Sequence, residues 1–221
     1  ETATMSGLGL KFTGIVFEVS HGILPIALVL ASLASLVLGM GIPTTANYII
    51  MATLIAPALI RLMPESTHLI MPHMFVFYYG ILADITPPVM LAVFAGAAIA
   101  RAPAMKVGIE STKLAIPGYT LPFMFIFHPE LISWNFIADL NLIKLVFFLL
   151  LATAMSIGIA GGMQGYLIRK TKYYERMTLL AGSFMIIPAN STVNVLGLIL
   201  IGAILVLQIL FKEKETVLLK K

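Results

Sequence analysis

The chain has 221 residues, of which 60% are hydrophobic and 11% are charged, and its mean hydropathy is +1.02. About a quarter of the residues in a soluble domain are charged, so this composition excludes a soluble protein and predicts an all-α, polytopic membrane protein. The net charge of +4 does not indicate nucleic-acid binding, because the basic residues lie at the ends of apolar segments, and the absence of cysteine excludes disulfides and thiol catalysis.

The first half of the chain contains two interrupted apolar segments. Residues 1–22 are broken up by charges and glycines, and we expect an interfacial arm there. Residues 23–62 predict a re-entrant helical hairpin whose tip, residues 39–48, reads G-M-G-I-P-T-T-A-N-Y. Residues 69–101 predict a discontinuous transmembrane helix that is broken at residues 84–88, which read D-I-T-P-P. Irregular backbone at membrane depth is tolerated only where protein or a water-filled cavity covers it.

The second half contains longer apolar runs between polar loops. Residues 114–128 and 142–168 predict transmembrane helices, and residues 177–211 predict a C-terminal helical hairpin or a broken helix. A charged tail occupies residues 212–221. The chain begins E-T-A-T, with neither an initiator methionine nor a signal peptide, so we expect it to be part of a longer protein.

Segment length supports the re-entrant interpretation of residues 23–62. The two flanking runs, Ile23–Leu38 and Ile49–Ile60, would each form a helix of about 24 Å or less at ~1.5 Å per residue. The hydrocarbon core of a bilayer is about 30 Å thick. The sequence leaves open the alternative of two full spans joined by an uncharged loop and followed by a proline-kinked helix.

Positive charges predict the orientation of the chain. If the hairpin returns to its starting side, the later crossings place seven basic residues on the opposite face: Arg101, Lys106, Lys113, Arg169, Lys170, Lys172 and Arg176. The positive-inside rule makes that face cytoplasmic, so the hairpin enters from the periplasmic side. The sequence is compatible with a C-terminus on either side of the membrane.

The two interruptions carry groups suited to a cation and a small organic anion. Helix ends expose carbonyl groups that bind cations, and helix starts expose N–H groups that bind carboxylates. Asp84 is the only acid in residues 70–100, and an acid at membrane depth is a functional candidate. The predicted ion-binding residues are Gly39, Gly41, Thr44, Thr45, Asp84 and Thr86; the predicted substrate-binding residues are Pro43, Thr44, Thr45, Asn47, Pro87 and Pro88.

These motifs resemble those of the tripartite ATP-independent periplasmic (TRAP) transporters. The residues from Gly39 to Tyr48 are similar to the second half of their large membrane (M) subunit, most of all in the TAXI branch, whose membrane subunits are commonly fused. Further similarity follows in the family's order at Phe75–Tyr79, Ile85–Val89, Ala95–Ala98 and His128–Leu131.

The resemblance implies one inverted-repeat half of an elevator-type secondary transporter, with sodium sites where the hairpin tip meets the helix break. It also implies the C-terminal portion of a permease in a bacterial or archaeal cytoplasmic membrane. The implied partners are the N-terminal half of the permease, a small membrane (Q) subunit or its fused equivalent, a periplasmic substrate-binding protein and the lipid bilayer. Many TAXI members have a neutral residue where Asp84 stands, so coupling to Na⁺ or to H⁺ stays open.

The sequence contains no motif that is typical of another functional class. The four histidines are not spaced as ligands on one helix face, and neither G-x-S-x-G nor H-E-x-x-H occurs. We therefore expect no enzyme activity, no transition metal and no cofactor. A non-transporting membrane scaffold, whose helix breaks are only structural, remains the alternative to a transporter.

Overall fold

The computed structural model describes residues 8–63, 69–128 and 142–211, and the regular elements within them are helices. The predicted tail at residues 212–221, the first part of the predicted arm at residues 1–22 and most of the His128–Leu131 similarity lie outside these ranges. The chain divides into two compact units, residues 1–115 and 116–221, which are described separately. The predicted all-α class is confirmed.

The first unit contains the helices α1 to α6 and the start of α7. Their bounds are α1 Leu8–Ser20, α2 Leu24–Gly39, α3 Thr44–Leu54, α4 Ala56–Leu62, α5 Ile70–Leu82, α6 Leu91–Ala100 and α7 Ala104–Phe127. Both α2 and α3 pack on α5, and α1 packs on α2 and α4. The largest buried side chains at these contacts include Leu28, Met51, Leu59, Met71 and Phe75.

The hairpin in the first unit has a shorter tip than the sequence predicts. α2 ends at Gly39, and α3 begins at Thr44, so only residues 40–43 are non-helical. Gly41 has φ +76°, a conformation that glycine adopts without steric cost, and Pro43 precedes the first helical residue with φ −55°. α3 and α4 are bent by 40°. Pro57 explains this bend, since proline lacks the N–H that would continue the helix.

The break in the second interrupted segment is longer than residues 84–88. α5 ends at Leu82, a 3₁₀ turn covers Ala83–Ile85, and the backbone stays irregular until α6 begins at Leu91. The Pro87–Pro88 peptide bond is cis, and Met90 lies in the left-handed region with φ 35°.

α7 starts well before the predicted bound of residue 114. Residues 104–113, interpreted from sequence as a polar loop, are its first turns. Their charged side chains Lys106, Glu110 and Lys113 are exposed at helical spacing, and the Lys113 ammonium lies 2.7 Å from the Glu110 carboxylate. Polar composition alone therefore does not distinguish this amphipathic helix start from a loop.

The second unit is built from the rest of α7 and three further helices, α8 Leu142–Gln164, α9 Tyr173–Ile186 and α10 Ser191–Leu210. α9 packs against both α8 and α10. α9 and α10 form a helical hairpin that approaches closely at two glycines, because a Cβ on Gly182 would lie 3.0 Å from the carbonyl oxygen of Gly197. α8 ends at Gln164, and the next residue, Gly165, has a φ of +72°.

The end of α10 lies beside the loop that joins α8 to α9. The Arg169 backbone N–H donates to Gln208 Oε1 at 3.0 Å, and Gln208 Nε2 donates to the Glu175 carboxylate at 2.8 Å. The end of α10 therefore lies beside the start of α9.

Two helices in the described residues, α8 and α10, are long and apolar enough to cross a membrane by length and composition. The number rises to four if the bent pairs α3–α4 and α6–α7 each count as one span. The α6–α7 pair turns by 115°, and α2 is a shorter apolar helix of 16 residues.

Candidate substrate and ion site

The hairpin tip is attached to the last turn of α5 by a buried amide. Asn47, in the first turn of α3, donates from Nδ2 to the carbonyl oxygen of Gly80 at 2.9 Å and is 2% exposed. A Cβ on Gly39 would lie 2.8 Å from Asn47 Nδ2 and 2.9 Å from Ala83 Cβ. Glycine at position 39 is therefore required for this close approach.

Tyr48 makes a second connection between the same two helices. Its hydroxyl lies 3.1 Å from His73 Nδ1 on α5, and its ring packs edge-on against Phe77 with centroids 5.5 Å apart. Successive residues of α3 thus contact α5 at two levels.

The two interruptions predicted from sequence are in contact. A Cβ on Gly41 in the tip would lie 3.4 Å from Val89 Cγ1 in the break. The beginning of α7 covers the break from another direction. A Cβ on Gly108 would meet the Met90 sulfur, and Thr112 Oγ1, which donates to the Gly108 carbonyl oxygen at 2.9 Å, lies 3.4 Å from the Ile85 carbonyl oxygen. Protein thus covers part of the break, while Pro88 stays exposed.

The carbonyl groups at the end of α5 already accept hydrogen bonds from the chain. Thr86 donates from Oγ1 to the Leu82 oxygen at 2.6 Å and from its backbone N–H to the Ala83 oxygen at 3.2 Å. A cation at this helix end would therefore share oxygens that have protein donors. A threonine oxygen remains a neutral ligand for a hard cation while its hydrogen is donated elsewhere.

The other predicted site residues differ in exposure. Thr44, Thr45, Pro43, Gly41 and Pro88 are exposed, whereas Asp84, Thr86 and Pro87 are partly exposed. Neither ion pair in the described residues involves Asp84. No side chain caps the start of α3, which leaves the N–H groups of its first turn to other acceptors.

A family model described as tripartite ATP-independent periplasmic transporter, DctM component, matches residues 1–140. The chain belongs to this family. Comparison with curated proteins and with solved structures gives no match. This DctM chain is a membrane-embedded, multi-pass component of a transporter, as its sequence predicts, and both interruptions lie within the matched residues.

Residues of the DctM chain that sequence reasoning missed also shape this region. Gly80, Val89 and Thr112 contact the tip or the break, yet none was predicted. A glycine just before a helix break is a signal of close backbone approach and could have indicated Gly80. Thr112 gave no such signal, because its segment was interpreted as a loop.

The described part of the DctM chain contains no group of three or more His, Asp or Glu residues that could hold a metal ion. His73 Nδ1 lies within hydrogen-bonding distance of the Tyr48 hydroxyl. Nε2 of the buried His128 lies 3.2 Å from the Ile186 carbonyl oxygen. Both imidazoles therefore have structural partners within helix contacts.

Proposed function

We propose that this chain is the C-terminal portion of the permease of a TRAP transporter, of the fused TAXI type, in a bacterial or archaeal cytoplasmic membrane. It imports a small organic carboxylate by secondary transport coupled to Na⁺, and a periplasmic substrate-binding protein delivers the substrate. The observation that carries the proposal is the approach of the hairpin tip to the helix break, at Gly41 and Val89, together with the contact of α3 with the end of α5, at Asn47 and Gly80.

Paired interrupted helices are the arrangement from which secondary transporters build their substrate and ion sites. In this chain the pair lies within one compact unit, and the beginning of α7 covers part of the break. A scaffold would need neither exposed threonines at the tip nor an acid in the break. Both are present, at Thr44, Thr45 and Asp84.

The start of α3 is the proposed binding point for the carboxylate. Its first-turn N–H groups have no side-chain cap, and the positive end of the helix dipole favours an anion. Thr44 and Thr45 add hydroxyl groups at the same turn, and Pro43 and Pro88 shape the approach to it. The opposing contribution of the N-terminal half of the permease, with the small membrane (Q) subunit or its fused equivalent, would complete the site.

The end of α5 is the proposed site of the coupling ion. Threonine hydroxyls and helix-end carbonyls are oxygen ligands suited to hard alkali cations, and Thr86 lies where α5 ends. Asp84 adds the one negative charge of this turn. Coupling to protons instead of sodium would act through the same carboxyl.

Uptake by the full-length permease in liposomes tests the proposal. The assay uses a panel of radiolabelled small carboxylates with the purified binding protein, under an inward Na⁺ gradient, an inward H⁺ gradient or neither. We expect uptake that needs the binding protein and rises with the Na⁺ gradient. Uptake equal to that of protein-free liposomes, for the whole panel and under every gradient, would favour the scaffold.

A further inference from the structure

The amide of Asn47 sits in a socket formed by two glycines of different helices. A Cβ on Gly39, at the end of α2, or on Gly80, in the last turn of α5, would lie 2.8 Å from Asn47 Nδ2. Any larger residue at either position would push against the amide. Three elements, α2, α3 and α5, thus meet at one side chain that is 2% exposed.

Only the donor half of this amide has a partner. Nδ2 donates to the Gly80 oxygen at 2.9 Å, while Oδ1 is buried and accepts no hydrogen bond from the described residues. An orphaned buried acceptor is unfavourable, and leucine, of nearly the same shape, would avoid it. The property that distinguishes asparagine from leucine here is therefore the hydrogen bond that it donates.

We propose that Asn47 is a positioning residue that locks the hairpin tip to the end of α5. Through this bond the tip, residues 40–43, and the break that follows Leu82 hold one fixed geometry. Asn47 then acts on the substrate through the placement of Thr44 and Thr45 and does not touch the substrate itself. The link to transport rests on the proposed function, whereas the lock is a property of the fold.

Opening of the lock can be measured without transport, because the chain has no native cysteine. Ser35 lies one turn before the end of α2 and is fully buried, so a single cysteine there reports separation of α2 from its neighbours. The probe is a membrane-impermeant maleimide applied to the full-length permease that carries Ser35→Cys and in which any cysteine outside residues 1–221 has been replaced by serine. Replacing Asn47 with leucine should raise the labelling rate about tenfold, the scale of one lost hydrogen bond.

Asn47→Asp distinguishes the donated bond from mere packing. The protonated carboxyl can donate to the Gly80 oxygen as the amide does, whereas the ionised carboxylate cannot and repels that oxygen. Labelling should match that of the parent at about pH 5 and exceed it at about pH 8, a range in which a buried carboxyl ionises. Dividing each rate by the parent rate at the same pH removes the reactivity change of the thiol.

Other titratable groups near the lock set the baseline for this comparison. Asp84 lies one turn beyond Gly80, and Tyr48, His73, Tyr78 and Tyr79 lie on α3 and α5. All are present in the parent, so only the additional pH dependence belongs to position 47. Asn190→Asp is the matched control, since the exposed Asn190 caps α10 by accepting from Thr192 and Val193, which a carboxylate also does.

A second variant keeps the proposal testable if Asn47→Asp does not accumulate. Gly80→Ala leaves the amide in place but fills its socket, and should raise labelling as Asn47→Leu does. Gly96→Ala is its control, because a Cβ on Gly96 meets nothing within 4 Å. Unchanged labelling in Asn47→Leu and Gly80→Ala would overturn the lock.

Uptake then relates the lock to transport. With the carboxylate that the liposome assay identifies, Asn47→Asp should transport at low pH and lose uptake as pH rises, relative to Asn190→Asp. Should the parent transport no carboxylate, the proposed function fails while the labelling result still decides the lock. Labelling that changes as expected with uptake equal to the parent's at every pH would overturn the positioning role.

Discussion

The guanidinium of Arg169 donates to the carboxylate of Glu175 at 2.6 Å, and the two side chains are 9% and 0% exposed. The same carboxylate accepts from the backbone N–H of Lys172 and from Gln208 Nε2, each at 2.8 Å. One buried acid therefore joins the α8–α9 loop, the start of α9 and the end of α10. The helix start also benefits electrostatically from an acid in its first turn.

Removing this acid should destabilise the second unit strongly. In Glu175→Ala the Arg169 charge stays buried without its partner, which typically costs about 3–5 kcal/mol. Equilibrium unfolding of the purified full-length protein in detergent measures the change in the free energy of unfolding.

The exposed pair Lys113–Glu110 provides the control for Glu175→Ala. Its side chains are 48% and 62% exposed, so Glu110→Ala should change the free energy of unfolding by about 1 kcal/mol or less. Equal losses in the two variants would contradict the role assigned to Glu175.

The burial of Glu175 could not be predicted from the sequence. The sequence alone predicts a polar loop at residues 169–176, which are the most basic segment of the chain. The burial of Glu175 depends on Gln208, which lies 33 residues further on. Gln208 contacts Glu175 only after α9 and α10 have paired. The helix class and the family could be predicted because hydropathy and the Gly/Pro motifs are local signals.

The candidate site, too, could be predicted only in part from the sequence. Glycine and proline in the sequence predict a tip and a break, and in the structure a Cβ on Gly41 would lie 3.4 Å from Val89 Cγ1. Asn47 was predicted to bind substrate, and that role is untested, but its amide lies buried against Gly80. Composition does not reveal which residue of a helix's first turn faces a neighbouring helix, since that depends on how α3 docks on α5.

Close packing of α9 on α10 predicts a second difference in stability. A Cβ on Gly197 would meet the carbonyl oxygen of Gly182 and would lie 2.9 Å from Ile186 Cγ1. Because backbone must move to admit it, Gly197→Ala should cost about 1–3 kcal/mol of unfolding free energy. Gly202→Ala, on the same helix with nothing within 4 Å of its Cβ, should be neutral or stabilising by up to about 1 kcal/mol. The same detergent unfolding assay compares them, and a Gly197→Ala variant as stable as Gly202→Ala would contradict the close approach.

The hydrogen bonds of Gln208 extend the predicted topology to the end of α10. Because Gln208 contacts Arg169 and Glu175, the chain leaves α10 on the side of the α8–α9 loop. Reporter fusions after Lys106, Lys172 and Leu210 should all report the cytoplasm, and one after Asp139 the periplasm. Disagreement between the fusions after Lys172 and Leu210 would show that α9 and α10 do not return the chain to one side.

The proposed ion site at the end of α5 can be tested through its neutral oxygen ligands. Thr86→Val removes one neutral oxygen at the end of α5, and Thr44→Val removes one at the start of α3, where Thr44 is a predicted ligand of both the ion and the substrate. Loss of one buried polar partner is worth about 1–3 kcal/mol, or roughly tenfold to a hundredfold in affinity. Both variants of the full-length permease should therefore raise the Na⁺ concentration for half-maximal uptake by that factor, with near-normal expression.

Thr53→Val is the matched control for these threonines. Its hydroxyl donates to the carbonyl oxygens of Ile49 and Ile50 within α3, away from the tip. The Na⁺ dependence of this variant should equal that of the parent. A similar shift in Thr53→Val would mean that the assay reports a general effect of losing a hydroxyl in these helices.

Asp84→Asn distinguishes the two coupling ions, because it removes both the negative charge and the proton-carrying group while keeping the size of the side chain. If Asp84 is a Na⁺ ligand, the Na⁺ concentration for half-maximal uptake should rise as in the threonine variants. If it carries the coupled proton, the pH dependence of uptake should flatten while the Na⁺ dependence stays unchanged. Since the carboxylate lies in the 3₁₀ turn directly after α5, either result locates coupling at the helix break. Unchanged Na⁺ and pH dependence in Asp84→Asn and in both threonine variants would place the ion site elsewhere and leave these motifs a structural role.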